Sequence, residues 1–198
     1  MDWKKLELTW QYVEKWAAET PDAEALVFEE TRLSWADFKR NMDLVAKAFM
    51  EAGVKKGDRV ALLSMARTEF PVTYMAANKI GAIWLGLNPK FTLDELRFQV
   101  SDSKPTVLVA VRDFMGNDLS ETIRTLAKEC PSIKKLLVIG APVEGAEDYA
   151  AFIGKPRADL DAELDKRAAA VDGKDSALLM YTSGSTGKPK GVVHTHYS

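Results

Sequence analysis

Apolar and polar residues follow two alternating patterns along the chain. Short runs of consecutive apolar residues are separated by segments in which apolar residues recur every three or four positions. The runs are typical of strands buried on both faces of a parallel sheet, and the periodic segments are typical of amphipathic helices. The strands are predicted at residues 60–65, 82–87, 106–111, 135–140 and 176–182. The sequence therefore predicts an α/β fold, a parallel-rich sheet covered by helices on both faces.

Several of the predicted helices carry signals at their ends. Ser34 with Asp37, and Thr92 with Glu95, have the three-residue spacing of a capping box. In that motif the two side chains each accept a hydrogen bond from the other residue's backbone N–H group. Further helices are predicted after Thr9, at about 71–79 and at 119–128.

The chain divides into two predicted parts. Residues 1–53 hold the first two helices and a short antiparallel pair of strands, whereas residues 54–198 hold the alternating strands and helices. Between residues 141 and 174 the pattern loosens. The charged segment 155–167 within it is interpreted as a solvated helix face or connector.

Composition and charge exclude some classes of function. The 198 residues are 46% hydrophobic and 28% charged, which is ordinary for a globular protein. The net charge of -2, from 27 basic and 29 acidic side chains, gives no cationic footprint for nucleic acid. The longest apolar run, residues 80–87, is far shorter than a membrane-spanning helix requires. We therefore expect neither a nucleic-acid partner nor a membrane span.

The start of the chain and its single cysteine bear on location. Charged residues interrupt MDWKKLELTWQYVEKW where a signal peptide would be apolar. Cys130 alone allows no internal disulfide, which fits a reducing compartment. We predict a cytoplasmic protein in which Cys130 is an unreactive residue at a helix end.

The strongest chemical signal is the sequence TSGSTGKPKG, which begins at the end of the strand predicted at 176–182. Its glycines can adopt positive φ and let backbone N–H groups converge on an anion, while hydroxyl and lysine side chains add donors and positive charge. Ligands of open α/β folds bind at this carboxyl edge of the sheet. The predicted phosphate-binding residues are Thr182, Ser183, Gly184, Ser185, Thr186, Gly187, Lys188 and Lys190.

The segment differs from the two common phosphate-binding motifs. A Walker A loop needs four residues between its glycines and a hydroxyl after its lysine, whereas here two residues separate Gly184 from Gly187 and Pro189 follows Lys188. The dinucleotide motif needs a different glycine spacing and a following helix. Because GVVHTHY alternates like a strand, we predict a loop between two strands. A flexible surface loop is the plain alternative.

YTSGSTGKPKGV closely resembles the phosphate-binding signature of the adenylate-forming (AMP-binding) superfamily, which includes acyl-CoA synthetases, amino-acid adenylation domains and luciferases. LSWADF (33–38) and NKIGAIWLGLNPKFTLDEL (78–96) resemble two further family segments. The Leu-Asn-Pro at 87–89 resembles acyl- or aryl-CoA ligases. The resemblance covers nearly the whole chain and implies a carboxylic acid:CoA ligase.

The resemblance implies ATP, Mg²⁺ and CoA as cofactors or co-substrates and a small carboxylic acid as substrate. By that likeness residues 182–187 and Lys190 would surround the β- and γ-phosphates. Lys190 would carry the principal charge, Lys188 occupies a position that the family fills variably, and Thr182 would approach Mg²⁺. The identity of the acid stays open among fatty, branched and aromatic acids.

The resemblance also implies that residues 1–198 are a partial N-terminal AMP-binding domain. Family members run to several hundred residues, and their acid pocket, adenine contacts and C-terminal domain with its catalytic lysine have no counterpart in this sequence. No catalytic residue is therefore assigned here, and the chain alone is expected to be inactive without the C-terminal portion of the same enzyme.

Three alternatives remain open. They are an amino-acid adenylation domain fragment, a kinase-type NTPase, and a non-catalytic nucleotide-binding remnant. Pro189 occupies the place where the kinase-type loop needs a hydroxyl. His194 and His196 could share a strand face as a metal pair, but without a third ligand ordinary packing is the preferred interpretation.

Overall fold

The computed structural model of the chain describes residues 7–182 and 189–198. The helices are α1 (Thr9–Glu19), α2 (Trp35–Glu51), α3 (Glu69–Lys79), α4 (Leu93–Ser103), α5 (Ser120–Glu129), α6 (Tyr149–Ile153) and α7 (Asp161–Ala169), with a 3₁₀ turn at Ala158–Leu160. The strands are β1 (Glu24–Phe28), β2 (Thr31–Ser34), β3 (Arg59–Leu63), β4 (Ile83–Leu87), β5 (Val107–Val111), β6 (Asp113–Phe114), β7 (Asn117–Asp118), β8 (Lys135–Ile139), β9 (Glu147–Asp148), β10 (Ser176–Thr182) and β11 (Lys190–Thr195).

One sheet dominates the described part of the chain, with the strand order β11-β10-β4-β3-β5-β8-β9. Its strands all run parallel except β11, which pairs antiparallel with β10 at one edge. All five strands expected from the sequence are present, as β3, β4, β5, β8 and β10. The predicted α/β class is therefore confirmed.

Helices cover both faces of the sheet, as predicted. The side chains of β3 alternate between the faces, so that Val60 and Leu62 join one hydrophobic cluster and Ala61 and Leu63 join the other. The first cluster holds buried residues of α1, α2, α3, α6 and α7, and the second holds those of α4 and α5. The central strands are thus buried on both sides, which explains their continuous apolar sequence.

Both predicted capping boxes form. The Ser34 hydroxyl accepts a hydrogen bond from the Asp37 backbone N–H, and the Asp37 carboxylate accepts one from the Ser34 N–H, each at 3.1 Å. Thr92 and Glu95 make the same exchange at the start of α4, at 3.3 and 2.7 Å. These bonds fix the first residues of α2 and α4.

Two predicted segments differ from the structure. Helix α3 begins at Glu69 rather than near Pro71, because a proline in the first turn removes no intrahelical hydrogen bond. The segment interpreted as solvated contains α7, whose Leu164 and Ala168 are buried. Just before it, buried Arg157 pairs with Glu51 of α2. One side of α7 is thus solvated, as interpreted, and its other side packs on the helical layer of the sheet.

A buried ion cluster joins the first three helices. The Lys79 ammonium at the end of α3 donates to Glu14 of α1 at 2.6 Å and to Asp43 of α2 at 2.7 Å. Burial alone would lower the pKa of Lys79, but the bonds to Asp43 and Glu14 outweigh it and raise that pKa. None of the described helices is both long and apolar enough to cross a bilayer.

Candidate functional site

The carboxyl ends of three parallel strands meet at one edge of the sheet. These are β3 and β4, which end at Leu63 and Leu87, and β10, which ends at Thr182. The predicted phosphate segment starts at this edge, where open α/β folds bind their ligands.

Thr182 and Lys190 stand opposite each other across the β10–β11 ladder. Directly opposed residues of an antiparallel pair project to the same face of the sheet, so the hydroxyl and the ammonium group emerge side by side. Both residues are exposed. The two predicted strands on either side of residues 183–188 are thus present and pair antiparallel.

The other predicted phosphate ligands, residues 183–188, lie outside the described residues. They are Ser183, Gly184, Ser185, Thr186, Gly187 and Lys188. Phosphate binding by the whole set of eight residues stays a prediction.

An apolar groove of about 610 Å³ opens at the same edge of the sheet. Its lining includes Trp84 and Gly86 of β4, Phe70 and Tyr74 of α3, and Met180 of β10. Met180 projects to the same face as Thr182, two residues further along the strand. The groove therefore adjoins the exposed Thr182–Lys190 pair.

Trp84 forms the floor of the groove and is held on several sides. Its ring meets Phe70 edge-on with centroids 4.5 Å apart and Tyr74 at 5.6 Å, and its indole N–H donates to the Thr73 hydroxyl at 3.1 Å. A Cβ at Gly86 would lie 2.9 Å from the indole ring, so glycine is what lets the ring lie along the strand. Trp84 is buried, yet it also lines the groove.

Tyr181 projects to the opposite face from Thr182, toward α4. Its hydroxyl donates to the Asp102 carboxylate at 2.6 Å, and its ring meets Phe98 edge-on with centroids 6.2 Å apart. Burial, followed by the bond to Asp102, raises the pKa of Tyr181. This pair was not predictable from the sequence, because a helix residue and a strand residue so far apart leave no local pattern.

The two histidines do not make the metal pair that was considered. Strand β11 ends at Thr195, so His196 lies in the following turn rather than on a shared strand face with His194. Burial lowers the pKa of His196, opposed by the Asp175 carboxylate. No group of three or more His, Cys, Asp or Glu side chains suited to a metal occurs within the described residues.

Cys130 directly follows α5 and is buried, as expected for its place at a helix end. Its thiol lies 3.6 Å from the Val100 carbonyl oxygen. Its lack of reactivity stays a prediction.

Comparison with known proteins adds to this geometry. Residues 13–198 match the family described as AMP-binding enzyme. The acetyl-coenzyme A synthetase of Coprinopsis cinerea is 30% identical over 203 residues, covering 96% of this chain and 30% of the relative. The long-chain-fatty-acid–CoA ligase FadD13 of Mycobacterium tuberculosis (strain CDC 1551 / Oshkosh) is 31% identical over 184 residues, covering 92% of this chain and 34% of the relative.

A solved structure shows the same fold. The anthranilate CoA ligase AuaEII in complex with anthranoyl-AMP aligns with a TM-score of 0.83 at 24% identity, over 96% of this chain and 35% of that one. The match over residues 13–198 shows that the chain belongs to the AMP-binding enzyme family. It spans about a third of the length of these relatives.

Proposed function

We propose that this chain is the N-terminal part of an ATP-dependent carboxylic acid:CoA ligase, and that it binds the triphosphate of ATP. The observation that carries this proposal is the placement of Thr182 and Lys190, exposed on one face at the carboxyl edge of the sheet. They flank the phosphate signature in a member of the AMP-binding family.

The proposed reaction has two halves. The carboxylate oxygen of the acid attacks the α-phosphorus of ATP, and the bond to the β-phosphate oxygen breaks to release pyrophosphate. The CoA thiol then attacks the carbonyl carbon of the acyl-AMP, loses its proton, and displaces AMP. Such a transfer depends mainly on positioning and charge neutralisation.

In this scheme the chain acts on the departing pyrophosphate. The Lys190 ammonium would neutralise charge that develops on the β- and γ-phosphates, and hydroxyl and backbone N–H groups of 182–187 would orient them. The ATP-bound Mg²⁺ would offset further phosphate charge. Mg²⁺ usually keeps several waters and takes few protein oxygens, so the single exposed hydroxyl of Thr182 is a fitting ligand.

Two features support CoA as the acceptor and an organic acid as the substrate. The relatives named above are CoA ligases, which favours CoA over a carrier protein. The groove beside Thr182 also offers an apolar surface for the apolar part of an organic acid. We also propose a cytoplasmic location and the assignment of residues 1–53 and 54–198 to one partial domain. The identity of the acid stays open.

Acid-dependent exchange of labelled pyrophosphate into ATP tests the proposed function. The 198-residue chain alone should show no exchange, since its residues are proposed to hold the departing pyrophosphate and not the acid or the adenine. The longer enzyme should exchange with its acid, and Lys190→Met should lower the rate by about two orders of magnitude, the effect typical of losing one transition-state charge partner.

The matched control is Lys134→Met. Lys134 is an exposed lysine directly before β8, at the amino end of the parallel strands, so its loss changes the net charge equally. It should leave exchange unchanged. Equal exchange rates for Lys190→Met and the wild type would contradict the assigned role of Lys190. Robust exchange by the 198-residue chain would contradict the proposal that it is only part of the enzyme.

A further inference from the structure

Tyr181 directly precedes Thr182 on β10 and lines the edge of the groove, yet its side chain projects to the opposite face of the sheet from that of Thr182. Alternation along the strand sends the Thr182 side chain to the groove face and the Tyr181 side chain toward α4. Any restraint on Tyr181 is therefore a restraint on the backbone from which the phosphate segment starts.

Asp102, the partner of Tyr181, is held on a well-anchored helix. Helix α4 begins at the Thr92 capping box. At its other end the Arg59 guanidinium donates to the carbonyl oxygens of Ser103 at 2.5 Å and Lys104 at 3.0 Å. Asp102 is thus fixed to β3 at the centre of the sheet through Arg59.

Across the hairpin, the Tyr181 ring lies against a residue that has no side chain. Gly191 stands opposite Tyr181 in the ladder, and a Cβ there would lie 3.5 Å from the tyrosine ring. The contacts to Phe98 and Asp102 therefore orient the ring from the helix side. A hydrogen bond to a carboxylate is stronger than one between neutral groups, which suits it to holding an edge strand.

We infer that Tyr181 and Asp102 are positioning residues for the proposed phosphate-binding pair, Thr182 and Lys190. Their hydrogen bond ties the end of β10 to α4 and thereby fixes where Thr182 and Lys190 present their side chains. Neither residue touches phosphate in this arrangement. The effect of this bond on phosphate binding rests on the proposed function. The bond between Tyr181 and Asp102, called the tether below, is a property of the fold and does not depend on that proposal.

Backbone amide hydrogen exchange on the 198-residue chain tests the tether without any ligand. Tyr181→Phe removes the hydroxyl and keeps the ring, whereas Asp102→Leu removes the acceptor. Either change should speed exchange at the paired ends of β10 and β11 by about five- to tenfold, the size expected for losing one partly exposed hydrogen bond to a charged group. Exchange in β3 and β5 should stay unchanged.

Two further variants separate a specific bond from general loosening. The double variant of Tyr181→Phe and Asp102→Leu should exchange no faster than either single variant, because both remove the same bond. Asp102→Asn keeps an acceptor oxygen and should restore most of the protection. Tyr197→Phe, at an exposed tyrosine in the last turn, is the matched control and should change nothing.

Pyrophosphate titration of the same variants tests the consequence. Tyr181→Phe should weaken pyrophosphate binding by about five- to tenfold, in step with the faster exchange, and Asp102→Asn should recover most of the affinity. Unchanged exchange at the strand ends, or additive effects in the double variant, would overturn the tether. Faster exchange with unchanged affinity would overturn the positioning role. A wild type that fails to bind pyrophosphate would contradict the proposed function, while the exchange result would still decide the tether.

Discussion

The centre of the sheet and its β10–β11 edge are built from similar apolar residues but are exposed to very different degrees. Every residue of β5 is buried, and Val109 is 0% exposed. At the edge, Met180 is 49% and Val193 is 54% exposed. Substitutions at the centre should therefore lower the free energy of unfolding, whereas those at the edge should mainly affect ligand binding.

The largest contrast is expected between two lysines. Lys79→Met leaves the Glu14 and Asp43 carboxylates without their shared buried cation and should cost about 3 kcal/mol of unfolding free energy. Lys190→Met, at an exposed position, should change stability by less than about 0.5 kcal/mol. Urea denaturation of the two variants measures both effects. Equal losses of unfolding free energy would contradict the difference between the buried and the exposed lysine.

The pH dependence of the same pair gives an independent check. Since the pKa of Lys79 is raised above its ordinary value of 10.5 by folding, its stabilisation is fully present below that pH. It is lost as the pH rises through the folded-state pKa. The wild type should therefore lose more stability than Lys79→Met between about pH 10 and 12. Parallel curves for the two proteins would argue against a stabilising ion cluster.

One substitution made in both regions sharpens the comparison with no change of charge. Val109→Ala leaves a cavity at the centre of the sheet and should cost about 2 kcal/mol, from lost burial and imperfect collapse. Val193→Ala at the edge should cost less than about 0.5 kcal/mol. Thermal unfolding followed by circular dichroism would report the difference. A costly Val193→Ala would mean that the edge is packed more tightly than the structure shows.

An effect smaller than that of Val109→Ala is expected between the two regions, in the groove. Gly86→Ala would place a methyl group 2.9 Å from the Trp84 ring and should cost about 1 kcal/mol as the ring shifts. The fluorescence of Trp84 should change with it, because its contacts to Phe70 and Thr73 would be altered. An unchanged spectrum together with unchanged stability would show that the ring has other room.

The centre of the sheet was predictable from sequence because its signals are local. Continuous apolar strands and the Ser34 and Thr92 capping boxes depend on neighbouring residues, and the structure confirms them. The packed side of α7 was not predictable, because two buried residues, Leu164 and Ala168, are too few to reveal a packed face among charged neighbours. Burial there is set by α2, a contact that no local pattern records.

The site was predictable in part for the same reason. The phosphate signature is a contiguous motif, and the strand that follows it was predictable from the alternation after Pro189. The groove and the bond between Tyr181 and Asp102 join residues from distant segments. They became visible only when the sheet brought β4, β10, α3 and α4 together.

The most direct test of the central claim, that the β10–β11 edge holds phosphate, is a calorimetric titration of the 198-residue chain with magnesium pyrophosphate. The wild type and Lys134→Met should bind with equal affinity, and Lys190→Met should bind at least about tenfold more weakly, as expected for losing one charged hydrogen-bond donor. Equal affinity for all three proteins, or no binding by the wild type, would contradict the account.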